Sequence, residues 1–166
     1  MKPLKHFLFA LTLSASCSTV LAGPYIGADY ALIDADIVDL GALAIKGGYQ
    51  INEWAAVEGR LGTGIRDDEY FGVDVELDHF YGGYFLAGLP NDTMFYPYLI
   101  AGYTKMDVKL SGYGMSEDVD DSDFSFGAGA RIGLGEVVSG NLEFMRYLDT
   151  DGEEIDAISL GLTFKF

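Results

Sequence analysis

From Gly23 onward the apolar residues recur at every second position, the period of a β-strand rather than of a helix face. The last segment shows this most plainly: Ile158, Leu160, Leu162, Phe164 and Phe166 alternate with Ala157, Ser159, Gly161, Thr163 and Lys165. Phe124, Phe126, Ala128, Ala130, Ile132 and Leu134 alternate with Ser125, Gly127, Gly129, Arg131 and Gly133. Leu43 to Ile51, Ala55 to Gly62 and Tyr25 to Leu32 repeat the pattern, and further segments centre on Val75–Ala87, Tyr96–Leu110 and Asn141–Leu148. That predicts eight strands, most near the ~10 residues that a tilted strand needs to cross a bilayer.

The connections alternate as well. Asn52-Glu53, Leu89–Thr93 and Gly135–Val137 are short, whereas Asp34–Leu40, Ile65–Asp74, Ser111–Ser122 and Asp149–Glu154 are longer and acidic. Short turns at one end and longer loops at the other predict an all-β fold, an eight-stranded antiparallel up-and-down barrel with both termini at the short-turn end, which is the layout of a transmembrane β-barrel. No helix-length periodic segment interrupts it.

Residues 1–22 read differently. Lys2 and Lys5 precede the apolar run Phe7–Leu13, and Val20-Leu21-Ala22 offers a small-residue cleavage site, which together predict a signal peptide. The expected organisation is therefore 1–22 signal peptide and 23–166 barrel. Cys17, the one cysteine, lies in the leader, where acylation would lack the large apolar residue expected three positions upstream. Disulfides and cysteine nucleophiles then drop out of the mature chain.

Composition sharpens the picture. Gly is 22 of 166 residues and aromatics are 14%, while Lys+Arg 10 against Asp+Glu 26 gives a net charge of −16. Cleavage would remove two lysines and no acids, taking the charge to −18. So acidic a chain is a poor nucleic-acid binder, because phosphate contacts need clustered Lys and Arg. No fewer than 17 acids fall on or beside the four longer loops.

Alternation alone does not say which face points outward. A soluble barrel turns its apolar face inward and a membrane barrel turns it to lipid. The polar face carries Asp29, Lys46, Glu58, Arg60, Asp78, Lys105, Asp107, Arg131, Glu143 and Lys165 among Gly, Ala and Ser, a set that suits a narrow, filled lumen. The chain ends on Phe166, with Leu160, Leu162 and Phe164 spaced by two before it. This resembles the terminal-strand signal read by the bacterial barrel-assembly machinery during insertion. With Gly23–Gly27, Gly47-Gly48-Tyr49-Gln50 and Tyr96-Pro97-Tyr98, residues 23–166 resemble the small outer-membrane β-barrel family that includes the OmpA transmembrane domain and OmpX. The resemblance implies a bacterial outer-membrane location and a surround of outer-membrane lipid and lipopolysaccharide. It also implies a monomer with a structural, envelope-integrity or surface-interaction role. Unlike OmpA, no peptidoglycan-binding segment follows the barrel, so cell-wall anchoring is not expected.

Particular residues carry more specific expectations. Lys46, Glu58, Arg60, Lys105, Asp107, Arg131 and Glu143 are expected to form a luminal charge network, either a plug or, in the alternative reading, the gate of a small-solute or ion channel of porin type. A third reading is a soluble periplasmic barrel holding an apolar ligand. Arg146, out of parity with Glu143, is expected to face lipid near the outer rim or to sit at a bulge, within reach of a lipopolysaccharide phosphate. Tyr49, Trp54, Tyr96 and Tyr98 are expected to form the aromatic girdle at the periplasmic interface. Asp149, Asp151 and Glu153 hold part of a divalent-cation loop without its remaining ligand spacing, so no metal or cofactor is expected. His79, the one histidine outside the leader, has no serine on its strand, and no catalytic role is expected of it.

Overall fold

The structure, a computed structural model, describes residues 22–35, 38–66, 68–70, 73–112, 115–148 and 154–166. The signal-peptide expectation therefore lies outside the described residues, as do Asp149, Asp151 and Glu153. The strands are β1 (Gly23–Ala35), β2 (Val38–Gln50), β3 (Ala55–Arg66), β4 (Asp68–Tyr70), β5 (Val73–Gly88), β6 (Phe95–Gly112), β7 (Met115–Gly133), β8 (Val138–Leu148) and β9 (Glu154–Lys165). Each pairs antiparallel with its neighbour in sequence, except that β3 skips the short β4 and pairs with β5. The ladder between β1 and β9 closes the sheet into an eight-stave barrel, and β4 is a small arm on the upper part of β5.

The short turns are held by their own side chains. The Asn52 side-chain oxygen accepts from Trp54 N at 2.8 Å, and Asn91 Nδ2 donates to the Phe95 carbonyl at 2.8 Å. Asn is favoured in turns because its amide stands in for a backbone partner in this way. At the opposite end, three of the four expected loops differ. Strand β1 runs to Ala35 and β2 resumes at Val38, β4 pairs with the start of β5, and β6 and β7 continue pairing from Ser111↔Ser116 to Gly112↔Met115. The acidic stretches are therefore mostly two-stranded ribbons standing beyond the barrel.

Polarity is inverted relative to a soluble barrel. Ile45, Leu61, Leu99 and Leu160 are each about 60% exposed or more and point outward, whereas Asp29, Lys46, Glu58, Arg60, Arg131 and Glu143 are buried inside. That overturns the soluble barrel with an apolar ligand within: its interior is ionic where the ligand would sit. The inward glycines explain the composition. A Cβ on Gly129 would come within 2.6 Å of the Tyr98 ring, and Gly48 and Gly88 lie against the rings of Tyr25 and Tyr96. In so narrow a lumen each large ring needs a residue without a side chain on the neighbouring strand.

Candidate functional site

The interior is layered along the barrel axis. At the loop end, Ala31, Ile33, Ala42, Ala44, Leu77 and Phe80 form an apolar layer with Met106, Tyr147 and Ile155 packed against it. Below it, charges run from wall to wall. Arg60 on β3 donates Nε to Glu58 at 2.6 Å and its terminal nitrogens to Glu143 on β8 at 2.5 and 2.9 Å. Such a two-pronged guanidinium–carboxylate contact fixes both partners in plane. Tyr98 Oη donates to the same Glu143 at 2.7 Å, and Tyr25 Oη to Glu58 at 2.7 Å. Arg131 on β7 reaches Glu58 at 3.2 Å and lies over the rings of Tyr25 and Tyr98, with centroids 4.6 and 5.4 Å away. Arg60 stacks on Tyr84 at 4.8 Å. Alongside, Lys46 Nζ and Asn141 Nδ2 both donate to Asp29 Oδ1, at 2.9 and 2.7 Å.

The structure thus brings Lys46, Glu58, Arg60, Arg131 and Glu143 together, and adds Asp29, Tyr25, Tyr84, Tyr98 and Asn141. Tyr25 shares the parity of Asp29, but an uncharged phenol gives no sequence signal that singles out these tyrosines as partners of the charges. The structure does not bring Lys105 and Asp107 inside. They continue the outward row Leu99, Ala101, Tyr103, while Thr104 and Met106 point inward, so both stand on the outer wall above the apolar band. There Asp107 accepts from His79 Nε2 at 2.7 Å, and the Lys105 ammonium lies 4.0 Å from Asp107. Asp78 is also outside, 3.2 Å from His79 Nδ1. A register shift between Leu77 and His79 inserts Asp78 as an extra residue, which lets Leu77 and Phe80 both point inward.

The aromatic expectation divides in the same way. Tyr49 and Trp54 are exposed on the outside near the short turns. Tyr98 is fully inside, and Tyr96, on the same inward parity, donates its hydroxyl to the Glu53 carbonyl at 2.7 Å across the mouth. Neither belongs to an outer girdle. Arg146 faces outward in an unbroken ladder, so no bulge is involved. It forms a fork with its register partner Asp156 on β9, at 2.7 and 2.8 Å. Leu160, Leu162, Phe164 and Phe166 line up outward along β9.

Comparisons with known proteins agree with this geometry. No curated protein matches the sequence. Solved structures do. Ail, the attachment invasion locus protein of Yersinia pestis, superposes with a TM-score of 0.64 at 17% identity, over 87% of this chain and 97% of that one. Neisserial surface protein A gives 0.65 at 16% identity, over 93% and 100%. The N-terminal β-barrel domain of Pseudomonas aeruginosa OprF gives 0.62 at 11%, over 87% and 100%. At these identities the likeness speaks for the fold. The sequence itself matches, over residues 7–166, the family model described as outer membrane protein beta-barrel domain; the chain belongs to that family and is a protein of the bacterial outer membrane.

Proposed function

We propose that the protein is a closed barrel with a structural, envelope-integrity or surface-interaction role, its lumen plugged by its own side chains. The observation that supports this is the wall-to-wall contact of Arg60 with Glu143, beneath an apolar layer that includes Leu77 and Phe80. An ion entering from the loops would have to shed water against apolar side chains and then displace a buried ion pair, each a costly step. In planar bilayers at neutral pH the purified protein is expected to give a flat current trace. Steps of uniform conductance would instead establish the porin-like channel.

In the same reading the leader is removed after Ala22, the assembly machinery engages the β9 row that ends at Phe166, and the barrel works as a monomer. Arg146, close to the outer rim, contacts lipopolysaccharide phosphate with whatever capacity its bond to Asp156 leaves. The barrel is not an enzyme. Both ring nitrogens of His79 face carboxylates, so neither is available to activate a nucleophile. His79→Asn is expected to leave the acylation pattern of lipid A unchanged by mass spectrometry; a lost or gained acyl chain would overturn that.

A further inference from the structure

The luminal charges do not balance. Among the described residues that point inward, Asp29, Glu58 and Glu143 face Lys46, Arg60, Arg131 and Lys165, three carboxylates against four cations. The first three cations are paired within the network. Lys165 is the odd one: half-buried at the end of β9, it makes no ion pair among the described residues and lines the same pocket as Arg131. In a chain of net charge −16, this is an enclosed excess of positive charge.

That excess lines a pocket. At the short-turn mouth, Gln50, Tyr96, Arg131, Ser139 and Lys165 surround a cavity of about 80 Å³. Arg131, only 5% exposed, belongs to that lining, and its Nε is buried with no hydrogen-bond partner in the wall behind it. A buried guanidinium N–H left unmade is costly, more so than a neutral donor. The one carboxylate on the lining, Glu136, sits on the exposed β7–β8 turn and pairs with neither cation. Allowing roughly 10–15 Å³ for each water, the volume takes a phosphate or carboxylate group with a few waters, but not a sugar ring or a nucleotide.

We infer that the periplasmic mouth of the barrel is a binding pocket for a small oxyanion, a phosphate or carboxylate group held by the Lys165 ammonium with the Arg131 charge behind it. Ser139 adds a neutral donor beside the two cations, while Gln50 spends its amide hydrogens on the Asn52 and Ala55 carbonyls. The anion neutralises the uncompensated luminal charge, and a narrow low-dielectric mouth focuses that attraction. This is independent of whether the lumen conducts, because a plugged and an open barrel would carry the same pocket. The group could belong to a free periplasmic solute or to a phospholipid headgroup of the inner leaflet.

The test uses the refolded 15N-labelled barrel in a non-ionic maltoside detergent, titrated with inorganic phosphate and, separately, with acetate. Saturable shifts are expected at the amides of Gly133, Gly135 and Ser139, which border the pocket, with the far end of the barrel unmoved. Lys165→Gln is expected to weaken binding at least about tenfold, and Lys165→Arg to restore most of it, since a charge-assisted contact is lost and regained. The same amide spectrum shows whether each variant is folded. Absence of saturable shifts in the wild type, or equal affinity in folded Lys165→Gln, would overturn the inference. A phosphatidylcholine nanodisc without added phosphate separates the two sources. Bound-type shifts already present there identify a lipid headgroup, and shifts appearing only on adding phosphate identify a free solute; either supports the pocket.

Discussion

Glu143→Leu will destabilise the barrel by about 3–5 kcal/mol, the cost of leaving a buried charge without its partner. Glu143 accepts both prongs of Arg60 and the Tyr98 hydroxyl, so its loss strands a guanidinium that is 7% exposed and a buried phenol. Glu58 stays bonded to Arg60, but it is already shared with Arg131 and Tyr25 and cannot neutralise both cations. Removing the stranded charge as well should recover most of the loss. Arg60→Met combined with Glu143→Leu replaces an ion pair by apolar volume, an exchange that is often close to neutral. Urea unfolding in lipid vesicles, followed through the fluorescence of Trp54, the one tryptophan, measures both. A double variant less stable than Glu143→Leu alone would show that the network holds the barrel by shape rather than by charge compensation.

The second large effect is steric and turns on parity. A Cβ on Gly127 would land on the Phe144 carbonyl oxygen, with Met145 Cα at 3.0 Å, and both belong to the backbone of β8. Backbone cannot step aside as a side chain can, so Gly127→Ala must splay the β7–β8 ladder. A cost of about 3 kcal/mol, at the upper end of overpacking, is expected. Gly83 points outward with nothing within 4 Å of its Cβ position, and Gly83→Ala should stay within about 0.5 kcal/mol of wild type. Heat-modifiable migration on a gel gives the folded fraction, and urea midpoints give the energies. Equal effects at the two sites would contradict the assignment of their faces.

Much of this architecture was legible in the sequence because a closed barrel in lipid obeys one strict rule per strand. The eight staves, the three short turns and the central charges Lys46, Glu58, Arg60, Arg131 and Glu143 all follow from period-two counting. The errors came where polarity was substituted for parity. Lys105 and Asp107 were placed inside because they are charged, yet counting from Leu99 and Tyr103 puts them outside, where the wall has risen past the apolar band. Tyr98 was placed outside because it is aromatic, yet it alternates with Leu99. Asp78 is a different case: even correct counting from Phe80 fails, because a single inserted residue shifts the phase and no local signal announces it. The pairing of Arg60 with Glu143 was not legible at all, since it joins strands whose separation across the lumen depends on barrel closure.

Closure has a kinetic consequence too. The ladder from Tyr25↔Lys165 to Asp34↔Asp156 joins the first stave to the last, and Phe166 N also donates to the Pro24 carbonyl at 3.2 Å. Hairpins can form early from neighbouring residues, but this seam waits until nearly the whole chain is in place, and until then both margins of the sheet are unsatisfied. Arg60 and Glu143 come from opposite sides of the same gap, so while the seam is open Glu143 lacks this partner and Arg60 has only Glu58 on its own strand. Folding of such a molecule is correspondingly slow and all-or-none, with the entropy of the entire circumference spent before its last contacts repay it.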